Sequence, residues 1–221
     1  MSRIDISDHL DYVLITLDFK EGRKLASLLK LKKYDEKMNE WKKYVEARRC
    51  KLALNRRFDI SAPGTSLIAF YSRKYFTPTN IFWSVKGISE EDAKILALWF
   101  NSSLNILQIL LKRKETRGAF LELDKYIVEQ FLILDPRKLD AQQRQILLEV
   151  FNRIGCVEFP SILDQLQNNF WARKIIDSAF LKILGYTDKE IDEILSYLYP
   201  ALAEEILILK QLMAEGRGEA R

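Results

Sequence analysis

The stretch LIAFYSRKYFTPTNIFWSVKGISEEDAKILALWFNSSLNILQILLKR, residues 67–113, decides the fold. Residues 67–72 and 81–87 are rich in aromatic and β-branched side chains and read as strands, the second ended by Gly87. Pro78 and Asn80 mark the loop between them. At Ser89 the period changes. Ser89 with Asp92 three residues on resembles a capping box, and Glu90 and Glu91 suit a first helical turn. Ile95, Leu96, Leu98, Trp99, Leu104, Ile106, Leu107 and Leu110 then recur at helical spacing. Asn101-Ser102-Ser103 falls inside that pattern and marks a break or a kink.

Working outward, residues 22–49 read as a long basic helix on a Leu, Tyr, Met and Trp stripe, with a possible break near Lys32–Asp35. CKLALNRRFD, 50–59, reads as a further strand, followed by a loop around Pro63-Gly64. AFLEL (119–123) alternates like a strand, and LILDP (132–136) reads as a short apolar strand stopped by Pro136. Beyond it the chain reads as helices near 139–155, 160–184 and 188–214. Thr187 with Glu190 forms the last N-terminal box, and Pro200 is expected to split or kink that helix. The fold class expected is α+β: a small antiparallel sheet from residues 50–86 and 119–135, flanked by helices, with a helical C-terminal region. The organisation expected is an N-terminal segment (1–49), an α+β domain (50–136) and a helical region (137–221).

Composition excludes several alternatives. The 221 residues include only 8 Gly and 5 Pro, which disfavours a turn-rich all-β sandwich or barrel. Mean hydropathy is −0.15. No apolar run reaches the roughly 18 residues of a membrane span, and the N-terminus lacks the apolar segment of a signal peptide. A cytoplasmic protein without membrane association is expected. Cys50 and Cys156 form no metal or disulfide framework, and a single histidine, His9, leaves little room for His-based catalysis. Neither phosphate-cradling glycine loop occurs. Glu40-Trp41-Lys42 and Asp92-Ala93-Lys94 mimic a nuclease pair, but on a helix these side chains point about 200° apart.

Charge carries more information. The net charge is only +4, yet residues 20–57 hold fourteen basic and five acidic side chains, net +9. Residues 112–117 (KRKETR) add a basic tip, and residues 138–221 are net −3. Such asymmetry suits either a polyanion-binding surface or a solvated Lys-rich helix. Cations, hydroxyls, amides and rings mix at Arg56, Arg57 and Phe58, and again at Tyr71, Arg73, Lys74, Tyr75, Phe76, Thr77, Thr79 and Asn80. Arginine can grip phosphates and guanine edges, asparagine adenine edges, and threonine phosphates. Tyr71, Phe76 and Phe82 fit a sheet core by their alternation, whereas Arg57, Arg73 and Lys74 fit the surface. Lys112, Arg113, Lys114 and Arg117 form a second basic loop.

Residues 50–205 resemble the target-recognition domain of type I and type IIG adenine-specific DNA methyltransferases, including their Taq-like C-terminal specificity domains. The likeness rests on Asn80 ahead of IFWSV, the helix ending WFNSSL (99–104), the Arg117-Gly118-x-Phe120 turn and the LDP of 134–136, with the later helical run WARKIIDSAFLKILGYTDKEIDEILSYLYPAL. The resemblance implies sequence-specific binding of double-stranded DNA, with strands and loops entering the major groove beside a flipped base. Such methyltransferases carry an N-P-P-[YF] motif and a Gly-rich loop for S-adenosylmethionine. Neither occurs here. The chain is therefore expected to hold no cofactor itself, S-adenosylmethionine binding a separate methyltransferase catalytic domain or subunit. The residues expected at the DNA are Arg56, Arg57, Arg73, Lys74, Thr77, Thr79, Asn80, Lys112, Arg113, Lys114 and Arg117, the cations on one face. The other reading is a helical protein-interaction or regulatory subunit without DNA binding, its acidic C-terminal helices docking a partner.

Overall fold

The computed structural model describes residues 2–8, 27, 34–113 and 120–218. The architecture is α+β, with eight α-helices and five strands among the described residues. β1 (Cys50–Asn55) is the centre of a three-stranded antiparallel sheet, flanked by β3 (Ala69–Phe76) and β4 (Phe82–Val85). β2 (Arg57–Asp59) and β5 (Phe120–Glu122) pair in a second, two-stranded ribbon. The single strand expected over 50–59 is thus broken at Arg56, whose amide turns to Ile81 and whose carbonyl turns to Leu123. Within the segment expected as a strand over 119–123, Phe120–Glu122 form β5, although it belongs to the ribbon rather than to the main sheet. The N-terminus adds one more line of pairing: Ile4 and Ile6 bond to Tyr71 on the outer edge of β3, and both are buried.

Helix α1 (Tyr34–Arg48) precedes β1, and the rest of the basic helix expected over 22–49 lies outside the described residues apart from Ser27. α2 (Glu90–Asn101) is capped by Ser89, which accepts a bond from the Asp92 amide at 3.1 Å. α2 and α3 (Ser103–Lys112) meet at an angle of 61° at the predicted break. Three small polar residues make that corner. Asn101 Oδ1 accepts from the amides of Ile68 (2.7 Å) and Ala69 (3.1 Å), and its Nδ2 donates to Ala69 and Ala97 carbonyls. Ser102 ends α2 and caps α3 by accepting from Asn105. The Ser103 amide is taken by Asp177. Buried backbone groups freed at a bend need partners, and here side chains supply them.

LILDP is not a strand. Leu132 is 79% exposed, its amide donates to Gln108, and the segment runs through Asp135 into a 3-10 turn at Pro136–Lys138. An apolar run without a free sheet edge beside it has no ladder to join. After the short α4 (Lys125–Val128), the C-terminal region comprises α5 (Ala141–Ile154), α6 (Ile162–Gln167), α7 (Trp171–Ile183) and α8 (Asp188–Gly218). α6 and α7 replace one expected helix. Asn169 separates them with φ of 48°, a left-handed conformation that asparagine tolerates better than most residues. α8 runs through Pro200 without ending. Pro200 sits on the exposed side, while Tyr199, Leu202, Ala203 and Ile206 remain buried on both sides of it. That packed stripe holds the helix across the missing hydrogen bond. Leu212, farther along the helix, is half exposed.

One apolar core runs from Ile4 to Leu209 and takes residues from all three sequence segments. At its middle lies a buried polar knot. Arg173 on α7 donates to Gln165 Oε1 (2.8 Å), to the Asn101 carbonyl (3.1 Å) and to Ser103 Oγ (3.1 Å). Asp177, one turn on, accepts from the Ser103 amide and the Tyr199 hydroxyl, both at 2.7 Å. Gln165 in turn donates to Ser66 and Pro160 carbonyls. The knot fastens α6, α7 and α8 to the α2–α3 corner, and so fixes the sheet against the helical region. No single helix among the described residues is long and apolar enough to cross a membrane.

Candidate nucleic-acid interface

Where the basic segment enters the sheet, cations gather around one ring. Tyr75, near the end of β3, is 58% exposed. Arg49 lies over its face at 5.2 Å and Lys51 at 5.5 Å from the ring centroid. Arg73 and Lys74 precede it on the strand and are exposed. Lys86, at the end of β4, reaches the carbonyl of Ala47 on the last turn of α1 and so stands beside Arg49. The strand register explains this gathering: Cys50 opposes Phe76 and Leu52 opposes Val85, which brings the start of β1 between the ends of β3 and β4. Five cations from a stretch of net +9 and its neighbouring strands therefore share one end of the sheet.

Arg48 builds the floor. Its guanidinium donates to the carbonyls of Pro78 (3.2 Å), Thr79 (2.6 Å) and Phe82 (2.9 Å), pinning the β3–β4 loop to the end of α1. Thr77 Oγ1 donates to the Val45 carbonyl, and Ser84 Oγ to that of Arg48. Thr79 and Asn80 are left exposed at the tip of a loop whose backbone is held from below. Three local carboxylates balance part of the charge: Glu46 near Arg49 (3.6 Å), Glu90 on Lys51 (2.6 Å) and Asp8 on Arg73 (3.3 Å). Glu90 is the most perturbed. The bond from Lys51 and the nearby Tyr71 hydroxyl, against some desolvation, hold its carboxyl at about 2, below the usual 4.5. Burial and the nearby Glu90 carboxylate push the Tyr71 phenol up, and burial likewise raises the Cys50 thiol.

The structure divides the residues expected at the DNA. Arg73 and Lys74 lie at this end of the sheet and Thr77 serves the α1 contact, whereas Thr79 and Asn80 lead into β4 at the Arg56 end of β1, where Phe82 opposes Asn55 and Ile81 accepts the Arg56 amide. Arg56 and Arg57 follow the opposite end of β1. Arg57 makes a fork on Glu122 at 2.6 and 2.8 Å. Arg56 stacks on Trp83 at 5.0 Å with Glu122 and Asp124 alongside at 3.4 and 3.9 Å. Lys112 donates to the Gln130 carbonyl, and Arg113 to Leu110 and to Glu205 (2.7 Å). Lys114, Arg117 and His9 lie outside the described residues. Of the rings, Tyr71 is fully buried, and Phe76 and Phe82 pack on the core, as their alternation indicates. Arg49, Lys51 and Lys86 were hidden among ordinary helix and strand positions. The signal that points to Arg49 and Lys51 is the +9 stretch, which ends at the sheet, whereas Lys86 lies outside it. Searches against protein-family models, curated proteins and solved structures find no match.

Proposed function

We propose that the chain is a sequence-specific double-stranded DNA recognition module of a restriction-modification adenine-N6 methyltransferase, working in the cytoplasm beside a catalytic domain or subunit that holds S-adenosylmethionine. The observation that carries this reading is the pair Arg49 and Lys51 on the exposed ring of Tyr75, with Arg73, Lys74 and Lys86 at the same end of the sheet and the braced Thr79-Asn80 tip beyond them toward Arg56. Clustered cations with an exposed ring are what phosphate binding requires at a surface, and a braced polar tip can reach base edges. Arg48 holds the tip by three backbone bonds, so its side chains are presented with little ordering left to do on binding. No N-P-P-[YF] motif and no Gly-rich cofactor loop occurs in the sequence, which puts methyl transfer on the partner.

Fluorescence anisotropy with duplex DNA over a range of salt tests the proposal. Arg49→Ala/Arg73→Ala/Lys74→Ala should weaken binding to all duplexes alike. The salt slope should fall by about one for each phosphate that is no longer neutralised. Asn80→Ala should leave non-specific affinity in place and relax preference at one base pair, by about 1–3 kcal/mol. An unchanged affinity in the triple variant would refute the assigned surface. Absence of any salt-dependent duplex binding would refute the function.

A further inference from the structure

On the side of the molecule formed by α5 and α7 there is an open groove of about 490 Å³. Ile146 and Val150 of α5 form one wall, and Trp171 and Ile175 of α7 the other, with Ala179 on the floor. Trp171 is 48% and Ile146 37% exposed. Three cations line the rim, Arg153, Lys174 and Lys182, and no carboxylate among the described residues does. Arg153 lies 6.0 Å from the Trp171 ring centroid. Lys174 and Lys182 pair with Asp192 and Asp188 of α8 at 2.8 and 2.7 Å, exposed on both sides. Exposed pairs of that kind contribute little, so either lysine can exchange its partner for another carboxylate at small cost.

We infer that this groove is the docking site of an acidic amphipathic helix from a partner protein. The cleft between two helix walls offers apolar contact to side chains recurring at i, i+3, i+4 and i+7. A half-covered tryptophan beside an isoleucine is the kind of anchor that dominates such contacts once water is excluded. Arg153, together with Lys174 and Lys182 released from their exposed pairs with Asp192 and Asp188, favours acidic flanks over basic ones, since a basic helix would bring like charges together at close range. A nucleic acid suits the site less well, because donors to phosphate come only from Ser178 and the rim cations, while Ile146, Val150, Trp171, Ile175 and Ala179 make the rest of the lining apolar. The groove lies on the helical region, whereas the Tyr75 cluster lies at the sheet, so the two surfaces are assigned independently.

The test uses the whole chain and a fluorescein-labelled probe of about sixteen residues, with leucines at i, i+4, i+7 and i+11, glutamates flanking them and alanine elsewhere. One control peptide replaces glutamate by lysine, and a second keeps the composition but scatters the leucines round the helix. At roughly physiological salt the acidic probe should bind at least about tenfold tighter than either control. Arg153→Gln/Lys174→Gln/Lys182→Gln, all at exposed positions, should abolish the discrimination between acidic and basic peptides. Ile146→Glu should weaken the acidic probe at least about tenfold while the circular-dichroism melt stays at the wild-type temperature. Equal binding of all three peptides would overturn the inference, as would retention of the discrimination in the neutralised rim. So would a sedimentation result in which the chain alone is a dimer that Ile146→Glu dissociates, for the occupant would then be a second copy.

Discussion

Removing the Asp177 carboxylate should cost more than any other single polar deletion in this chain. Asp177 and Arg173 are both buried, one at 0% and the other at 1% exposure. Burial pushes the Asp177 carboxyl up and the Arg173 guanidinium down, while Arg173, Tyr199 and Ser103 pull the carboxyl back toward its charged form. Ser103 bridges the two, its hydroxyl accepting from Arg173 and its amide donating to Asp177. In Asp177→Ala the Arg173 charge stays buried with its counter-charge gone, at a cost of about 3–5 kcal/mol. The Ser103 amide and Tyr199 hydroxyl are also left without their acceptor, about 1–3 kcal/mol each in isolation, although these terms overlap with the first. A destabilisation of about 4 kcal/mol is a large part of the roughly 5–15 kcal/mol available to a domain. At this chain length it corresponds to a fall of about 8–16 °C in Tm. Urea unfolding should show a lower midpoint with an unchanged slope. Replacing both charges, as Arg173→Met/Asp177→Leu, should cost clearly less than the two single changes added together. A cost below about 1 kcal/mol in Asp177→Ala, or simple additivity in the double variant, would refute the assignment of a coupled buried pair.

Other expectations are as direct. Glu90, held at about 2, lends stability that is fully present above its ordinary 4.5 and disappears as the pH falls through about 2. Its side chain is 41% exposed, so solvent screening limits that contribution to about 1 kcal/mol: Glu90→Gln should lower the urea midpoint at pH 7 and leave it unchanged near pH 2. Asn101→Ala strips the partners from the Ile68 and Ala69 amides and should cost about 2–4 kcal/mol in a chemical-denaturation series. Asn169→Gly should be neutral or slightly stabilising, whereas Asn169→Val, forced to a φ of 48°, should lose about 1–2 kcal/mol by the same measurement. Purified chain incubated with duplex DNA and methyl-labelled S-adenosylmethionine should transfer no label, and transfer above background would contradict the assignment of catalysis to a partner.

Much of the fold could be read from sequence because the relevant signals are local. Ser89 and Thr187 cap the helices they precede, each through bonds to the residue three positions on. The aromatic and β-branched runs over 69–76 and 82–85 form strands because both lie beside the central β1. The errors arise where a second element decides the outcome. LILDP has the composition of a strand and no edge to pair with. Arg56 interrupts 50–59 because its backbone has partners on Ile81 and Leu123, which no window of neighbouring residues contains. Pro200 fails to end α8 because packing of the apolar stripe against the core, on either side of it, offsets the missing hydrogen bond.

The candidate interface was legible as a charge density and illegible as a residue list, for the same reason. Counting cations along the chain finds the +9 stretch, but whether a given arginine faces solvent depends on carboxylates far away in sequence. Arg57 meets Glu122 across 65 positions, and Arg113 meets Glu205 across 92. Those pairs give both cations carboxylate partners, although Arg57 itself stays exposed. Arg49 and Lys51 come to the surface by the opposite route. They flank Cys50, which is buried, so the backbone carries a pair of cations into the sheet on either side of a core position. Tyr75 then gathers both over one ring because β3 ends opposite that point. Strand register, rather than charge count, selects the cations that reach the proposed DNA surface. A variant that shifts the 50–76 register should therefore disperse the cluster without changing a single charge.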